Sequence, residues 1–246
     1  MEKERIVHIS NLTKSFGDHR VIEDISFSLF QGENLVLLGR SGTGKSVIMK
    51  CIVGLMEPDS GEVNVFGKDI RNCSEREMSE IRTRIGYLFQ EGALYDSMNI
   101  RENLLFPARR NRKLMKLSEK ELQELVERNL ESVGLADAVD KMPGELSGGM
   151  KKRAGLARTL MLSPEMIIYD EPTTGLDPFT SEAINELILK VRQEFRTSAI
   201  IITHDIKCAE VTGDRLLLLH NGNIVAEGTI DALRRHPDAE VRNYFK

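Results

Sequence analysis

"NLVLLGRSGTGKS", residues 34–46, joins a run of large aliphatic side chains to a turn studded with glycine. Leu35 to Leu38 are apolar on both faces, as in a strand buried within a parallel sheet. "GRSGTGKS" (39–46) then fits G-x-x-x-x-G-K-[ST], and "SVIMKCIVGL" (46–55) reads as a helix. Strand, glycine turn and helix in that order form the setting in which this pattern binds phosphate. Gly39, Gly42 and Gly44 let the backbone curl until successive N–H groups point inward. The helix adds its positive N-terminus. Lys45 puts a point charge on the outer phosphates, and the Ser46 hydroxyl is placed to ligate magnesium. The expected ligand is ATP or a similar nucleotide with Mg²⁺.

On the N-terminal side, "RIVHISNLTKSF" (5–16) and "RVIEDISFSLF" (20–30) partly alternate apolar and polar residues around a "GDH" turn, and read as strands. "GEVNVFG" (61–67) and "IGYLFQ" (85–90) are further strands, and "SERE" (74–77) opens a short helix with capping-box spacing. From about 97 to 161 strand character is scarce. "SEKELQELVERNLESVG" (118–134) starts on a Ser118–Glu121 capping box and repeats Leu122, Leu125, Val126, Leu130 and Val133, an amphipathic helix. Alternation then resumes. "EMIIYDE" (165–171) and "SAIIITH" (198–204) are strands, and "TSEAINELILKVRQEF" (180–195) and "DIKCAEVT" (205–212) are helices. "RLLLLHNGNIVAEG" (215–228) is a hairpin turning on Asn221-Gly222. The expectation is an α/β core interrupted by a helical insertion.

The 246 residues carry a net charge of -4, which argues against a partner bound through a nucleic-acid backbone. No apolar run approaches the roughly 20 residues needed to cross a bilayer, and the N-terminus has no signal-peptide core. Cys51, Cys73 and Cys208 are scattered, which suggests a reducing compartment and no zinc site.

Two further places suit nucleotide chemistry. Asp170 stands where a buried strand ends, the edge at which open parallel sheets bind ligands, and can hold Mg²⁺. Glu171 follows and could polarise an attacking water; the plainer reading is a helix-capping acid. His204 ends the next buried strand, where a structural and a catalytic role are equally open. The second place is "ELSGGMKKRAGLAR" (145–158). Ser147, Gly148 and Gly149 offer a hydroxyl and N–H groups at a helix start, suited to the open γ-phosphate side of a nucleotide. They need not serve their own chain's nucleotide. In a two-fold dimer each copy's turn closes over the other's ATP.

The order "GRSGTGKS", Gln90, "LSGG", "IIYDEP", "GLD", "TH" resembles the ATPase subunits of ATP-binding-cassette (ABC) systems over nearly the whole chain. The resemblance implies a P-loop NTPase core with an antiparallel β subdomain and an inserted α-helical subdomain. It puts the core at about 1–95 and 162–246 and the insertion at about 96–161. By the same resemblance Phe16 stacks on adenine, and the run Gly39, Arg40, Ser41, Gly42, Thr43, Gly44, Lys45, Ser46 and Val47 surrounds the phosphates. Ser46, Gln90 and Asp170 face the metal, and Gln90 relays to the helical insertion. Glu171 is the hydrolytic base, Asp177 speaks across the dimer and His204 contacts the γ-phosphate. Met150 departs from the pattern, standing where the family usually has Gln; this puts in doubt a polar contact near the partner copy's nucleotide.

"LFQEGALYDSMNIRENLLFP" (88–107), "MPGELSGGM" (142–150) and "HPDAEVRNYF" (236–245) look like the ATPases of bacterial Mla/Mce-type phospholipid transporters. That implies an integral-membrane permease, a second copy of the chain and an MCE-domain protein as partners. It also implies a site on the cytoplasmic face of the inner membrane. Another cargo, or a soluble iron–sulfur assembly subunit, is the alternative. A GTPase is disfavoured by the lack of an N-K-x-D-like motif. "ARRNRKLMK" (108–116) reads first as a solvated face, and alternatively as an anionic-membrane contact through Arg109, Arg110, Arg112 and Lys113. The terminal "VRNYFK" could dock against a second copy.

Overall fold

The computed structural model describes residues 4–111 and 114–245. Along the chain come β1 (Arg5–Phe16), β2 (His19–Phe30), β3 (Asn34–Leu38), α1 (Lys45–Ile52), β4 (Ser60–Val65), β5 (Lys68–Asp69) and α2 (Glu75–Thr83). Then follow β6 (Ile85–Leu88), α3 (Ile100–Ala108), α4 (Glu119–Ser132), α5 (Gly148–Leu160), β7 (Met166–Asp170) and α6 (Pro178–Phe195). The last third holds β8 (Ser198–Thr203), α7 (Ile206–Thr212), β9 (Arg215–His220), β10 (Asn223–Gly228), α8 (Ile230–Arg234) and α9 (Ala239–Tyr244). The fold class is α/β, with antiparallel and mixed sheets. The chain forms two compact units, Met1–Arg82 with Thr197–Lys246, and Thr83–Arg196. The helical stretch 96–161 falls wholly within the second.

In the first unit, β1 pairs antiparallel with β2 and with β4, and β4 with β5. The second sheet is mixed. β3 runs parallel to both β8 and β9, and β9 turns antiparallel into β10 at Asn221-Gly222, as the sequence predicts. Every residue of β3 and β8 is buried, which explains why both read as unbroken apolar runs rather than alternating ones. The register sets Leu38 opposite Thr203, and the Gly39 N–H donates to the Thr203 carbonyl at 3.3 Å. The glycine turn and His204 therefore leave the sheet at the same edge.

In the second unit β6 runs parallel to β7, with Leu88 opposite Tyr169. The residues that follow, Phe89-Gln90 and Asp170-Glu171, thus emerge side by side. No strand lies between Leu88 and Met166 among the described residues. The helices there start on side-chain caps. Ser118 and Glu121 close the expected capping box on α4, and Asn99 with Glu102 closes one on α3. α6 begins at Pro178, two residues before the predicted Thr180, because Asp177 caps it and proline suits the first helical position.

Candidate functional site

The phosphate loop lies in the first unit. Gly42 and Gly44 take φ of 82° and 96°, the left-handed region that favours glycine. Gly39 is needed for a different reason. A Cβ there would lie 2.7 Å from the Leu219 carbonyl oxygen and 2.8 Å from Thr43 Oγ1. Lys45 is buried, and its Nζ donates to the Gly39 and Arg40 carbonyls at 2.7 and 2.9 Å, so the ammonium is tethered within the loop. Thr43 Oγ1 donates to the Arg40 carbonyl at 2.9 Å. The N–H groups of Gly42, Gly44 and Ser46 have no hydrogen-bond partner among the described residues; Gly44 is the N-cap of α1 and Ser46 lies in its first turn. Open donors, a fixed cation and a helix N-terminus together fit a polyphosphate. Arg40, Ser41 and Ser46 are exposed, and Val47 is half-buried. Phe16 closes β1 with half its surface exposed, and Lys14 Nζ lies 5.8 Å from its ring centre. His204 is exposed at the end of β8.

The second unit gathers the acidic strand end, Gln90 and the "LSGG" turn. Tyr87 Oη donates to Asp170 Oδ2 at 2.9 Å. Gln90 is exposed in the turn after β6. Glu171 has φ of 49°, a conformation that costs a non-glycine residue on the order of 1 kcal/mol. Its carboxylate accepts from Thr174 Oγ1 at 2.9 Å. Glu171 caps none of the described helices; Asp177 does, receiving the N–H groups of Phe179 and Thr180 and the Thr180 hydroxyl. Those donors, the hydroxyl first, hold the Asp177 carboxyl below its ordinary range.

Ser147 is the N-cap of α5, its Oγ accepting from the Met150 N–H at 3.3 Å. Gly148 is exposed, and a Cβ on Gly149 would collide with Thr180 Cγ2 of α6. The loop after Gln90 meets α5 backbone to backbone. A Cβ on Gly155 would lie 2.7 Å from the Gly92 carbonyl oxygen, and one on Gly92 2.7 Å from that of Lys151. Arg158 donates to the Ala93 carbonyl at 2.6 Å. These contacts hold the Gln90 loop to the helix that begins at Ser147.

Sequence reading missed Tyr87, Gly92, Gly155, Arg158 and Lys152. Lys152 left a signal: with Leu156 and Leu160 it recurs every four residues along the apolar stripe of α5. In the basic stretch, Arg110 stacks 4.0 Å over the Phe106 ring and Arg109 lies 3.9 Å from Glu119. Arg112 and Lys113 lie outside the described residues, as does Lys246 of the terminal segment.

A phosphate loop, an acidic strand end and a serine-capped glycine helix on this α/β scaffold define an ATP-binding cassette. A family model described as ABC transporter matches residues 22–174. The chain is 41% identical to the probable ribonucleotide transport ATP-binding protein mkl of Mycobacterium leprae, over 97% of this chain and 68% of that protein. It is 35% identical to the intermembrane phospholipid transport system ATP-binding protein MlaF of Haemophilus influenzae, over 99% and 91%. It is 36% identical to the methionine import ATP-binding protein MetN of Campylobacter jejuni, over 98% and 75%. It spans about two thirds of the mycobacterial relatives' length, 66% for the Mycobacterium bovis protein. A solved dimeric cassette, MJ0796 in a post-hydrolysis state with ADP and Pi, superposes with a TM-score of 0.81 at 29% identity, over 91% of this chain and 98% of that one. The chain belongs to the ABC transporter ATP-binding family: it is an ATP-binding subunit and an ATPase.

Proposed function

We propose that this chain powers phospholipid movement between the inner and outer membranes of a bacterium, with two copies sandwiching two ATP molecules beneath a membrane permease. The phosphate loop carries the nucleotide part of the reading. Its open N–H groups cradle the phosphates while Lys45, held by two carbonyls, faces the outer ones. Phe16 stacks on the base. By residue type Ser46, Gln90 and Asp170 would offer a hydroxyl, an amide oxygen and a carboxylate, donors of the kind that suit Mg²⁺. The ion, when bound, would neutralise charge on the β- and γ-phosphates. Glu171 orients the attacking water as base, and His204 contacts the γ-phosphate. Ser147, Gly148 and Gly149 of one copy close over the ATP of the other, and Asp177 stands at the joint.

The lipid part rests on the relative named for intermembrane phospholipid transport, nearly all of whose length this chain covers. Among the described residues no helix is long and apolar enough to cross a membrane, so cargo would pass through the permease. We propose that the chain binds that permease at the cytoplasmic face of the inner membrane. An MCE-domain protein would lie beyond it. Methionine import is the second reading, favoured by a relative at 36% identity against 35% for the phospholipid one. Copurification with the native permease decides between them. Bound phospholipid, with turnover raised by phospholipid vesicles and indifferent to methionine, is expected; stimulation by methionine alone would overturn the lipid assignment. Glu171→Gln should bind ATP and accumulate a closed dimer, with turnover cut to a slow residual rate.

A further inference from the structure

Lys152 has no part in the roles above. It sits on α5, three residues past Gly149, and only 4% of it is exposed. Its Nζ donates to three backbone carbonyls: Glu171 at 3.2 Å, Pro172 at 2.9 Å and Thr174 at 2.7 Å. An ammonium has three N–H bonds, and taking it out of water is tolerable only when acceptors replace the solvent. The acceptors belong to one turn, Glu171 to Thr174. That turn starts on a left-handed glutamate and carries the Thr174 N–H to Glu171 carbonyl bond at 3.2 Å. Three carbonyl oxygens crowded on one side repel one another, and a cation at their focus offsets that repulsion. The charge of Lys152 therefore holds in place the backbone that aims the Glu171 carboxylate.

We propose that Lys152 is a positioning residue for hydrolysis. It fastens the Glu171 turn to the helix that begins at Ser147, Gly148 and Gly149. The general base is then aimed while that helix is in register and released when the helix shifts. The chemistry of the step is unchanged: water adds to the γ-phosphorus, the bond to the β–γ bridging oxygen breaks, and Glu171 accepts the water's proton. In this step Lys152 acts through the Glu171 turn and not on the water or the nucleotide. The inference rests on the reading of Glu171 as base.

The test uses the full chain with Lys152→Met, Lys152→Gln, Glu171→Gln and the double variant Lys152→Met/Glu171→Gln. ATP stoichiometry and affinity are measured by equilibrium binding, and hydrolysis as a single-turnover rate per bound ATP, which removes any loss of folded protein. Lys152→Met should bind ATP within about twofold of the wild type and hydrolyse it at least roughly tenfold more slowly. Lys152→Gln keeps two N–H donors and should lose less; if the methionine variant does not fold, it carries the comparison in its place. In the Glu171→Gln background, adding Lys152→Met should cost nothing further, because there is no base left to aim. An equal fractional loss in both backgrounds would mark a merely structural lysine and overturn the proposal. So would a wild-type rate for Lys152→Met beside a strongly slowed Glu171→Gln. A wild-type rate for Glu171→Gln instead sinks the base assignment itself.

Discussion

The phenol of Tyr87 and the carboxylate of Asp170 meet at 2.9 Å across the parallel pair β6–β7, although 83 residues separate them in the chain. Burial, and then the charge of Asp170, push the Tyr87 phenol above its ordinary range, so it stays a donor at every working pH. Such a bond fixes one oxygen of the Asp170 carboxylate, the group proposed above to hold Mg²⁺. Tyr87→Phe removes the donor and little volume. Losing an outer partner of a metal-binding carboxylate typically weakens the metal roughly tenfold or more. The expected result is a rise of that order in the Mg²⁺ needed for half-maximal hydrolysis, with ATP affinity in excess Mg²⁺ unchanged. Titration of Mn²⁺ by paramagnetic resonance on the ATP-bound protein checks it independently of turnover.

The stretches legible in the sequence are those whose chemistry is local. The phosphate loop announces itself by glycine spacing, the hairpin by Asn221-Gly222, and α4 by the Ser118 box. Each is decided within a few residues of chain, so pattern alone suffices. What could not be read is contact between segments far apart in sequence. Gly155 looks like an ordinary weak point in a helix until Gly92 is seen against it. Lys152 looks like a solvated charge beside Lys151 until three carbonyls from residues 171–174 converge on its ammonium. Tyr87 looks like a strand aromatic until Asp170 is found beside its hydroxyl. In the site, the phosphate-loop residues followed from motif spacing and Phe16, Gln90 and Asp177 from the family resemblance alone, whereas the residues packed against them became visible only in the fold.

Gly155 tests one such hidden contact. An added methyl would meet the Gly92 carbonyl oxygen at 2.7 Å, its Cα at 3.0 Å and Leu88 Cδ1 at 3.1 Å. Two of the three are backbone atoms, which cannot swing aside as the end of a side chain would. Gly155→Ala trades a gain in helix propensity of about 1 kcal/mol against overpacking of about 1–3 kcal/mol. The expected outcome is net destabilisation in urea, with coupling harmed more than binding because the loop carrying Gln90 is displaced. Unchanged urea midpoint and ATPase rate would show that the loop yields freely.

Glu77 provides a pH signature through a residue given no part in nucleotide binding. Lys68 donates to it at 2.9 Å and the Ser74 hydroxyl and N–H donate to its other oxygen, lowering its pKa from 4.5 to about 2, the lysine bond being the largest cause. A folded-state pKa below the unfolded one means stability present above pH 4.5 and lost as pH falls through 2. The partner Lys68 is raised above 10.5, so its share persists below that pH and fades in more alkaline solution. Glu77→Gln should therefore lower the melting temperature by a small, exposed-pair amount at pH 7, and the gap should close toward pH 2. A gap independent of pH would place the loss in packing rather than charge.

Ser147 has a structural duty that must be separated from the one proposed for it. As N-cap of α5 it receives the Met150 N–H, and replacing such a serine with alanine costs about 1 kcal/mol whatever the site does. Aspartate resolves the ambiguity. It caps as well as serine and adds a favourable charge at a helix N-terminus, so Ser147→Asp should melt at or above the wild-type temperature. If the same side chain faces the γ-phosphate of ATP held by a second copy, that negative charge repels the ligand it should receive. The variant should then stay folded and bind ATP as a monomer, yet fail to form the ATP-stabilised dimer in a Glu171→Gln background. Hydrolysis should fall by more than roughly a hundredfold, as when a donor to developing transition-state charge is lost. Light scattering of the double variant with and without ATP gives the answer. A dimer that forms normally would leave Ser147 a helix cap and nothing more, and each copy would have to complete its own phosphate site.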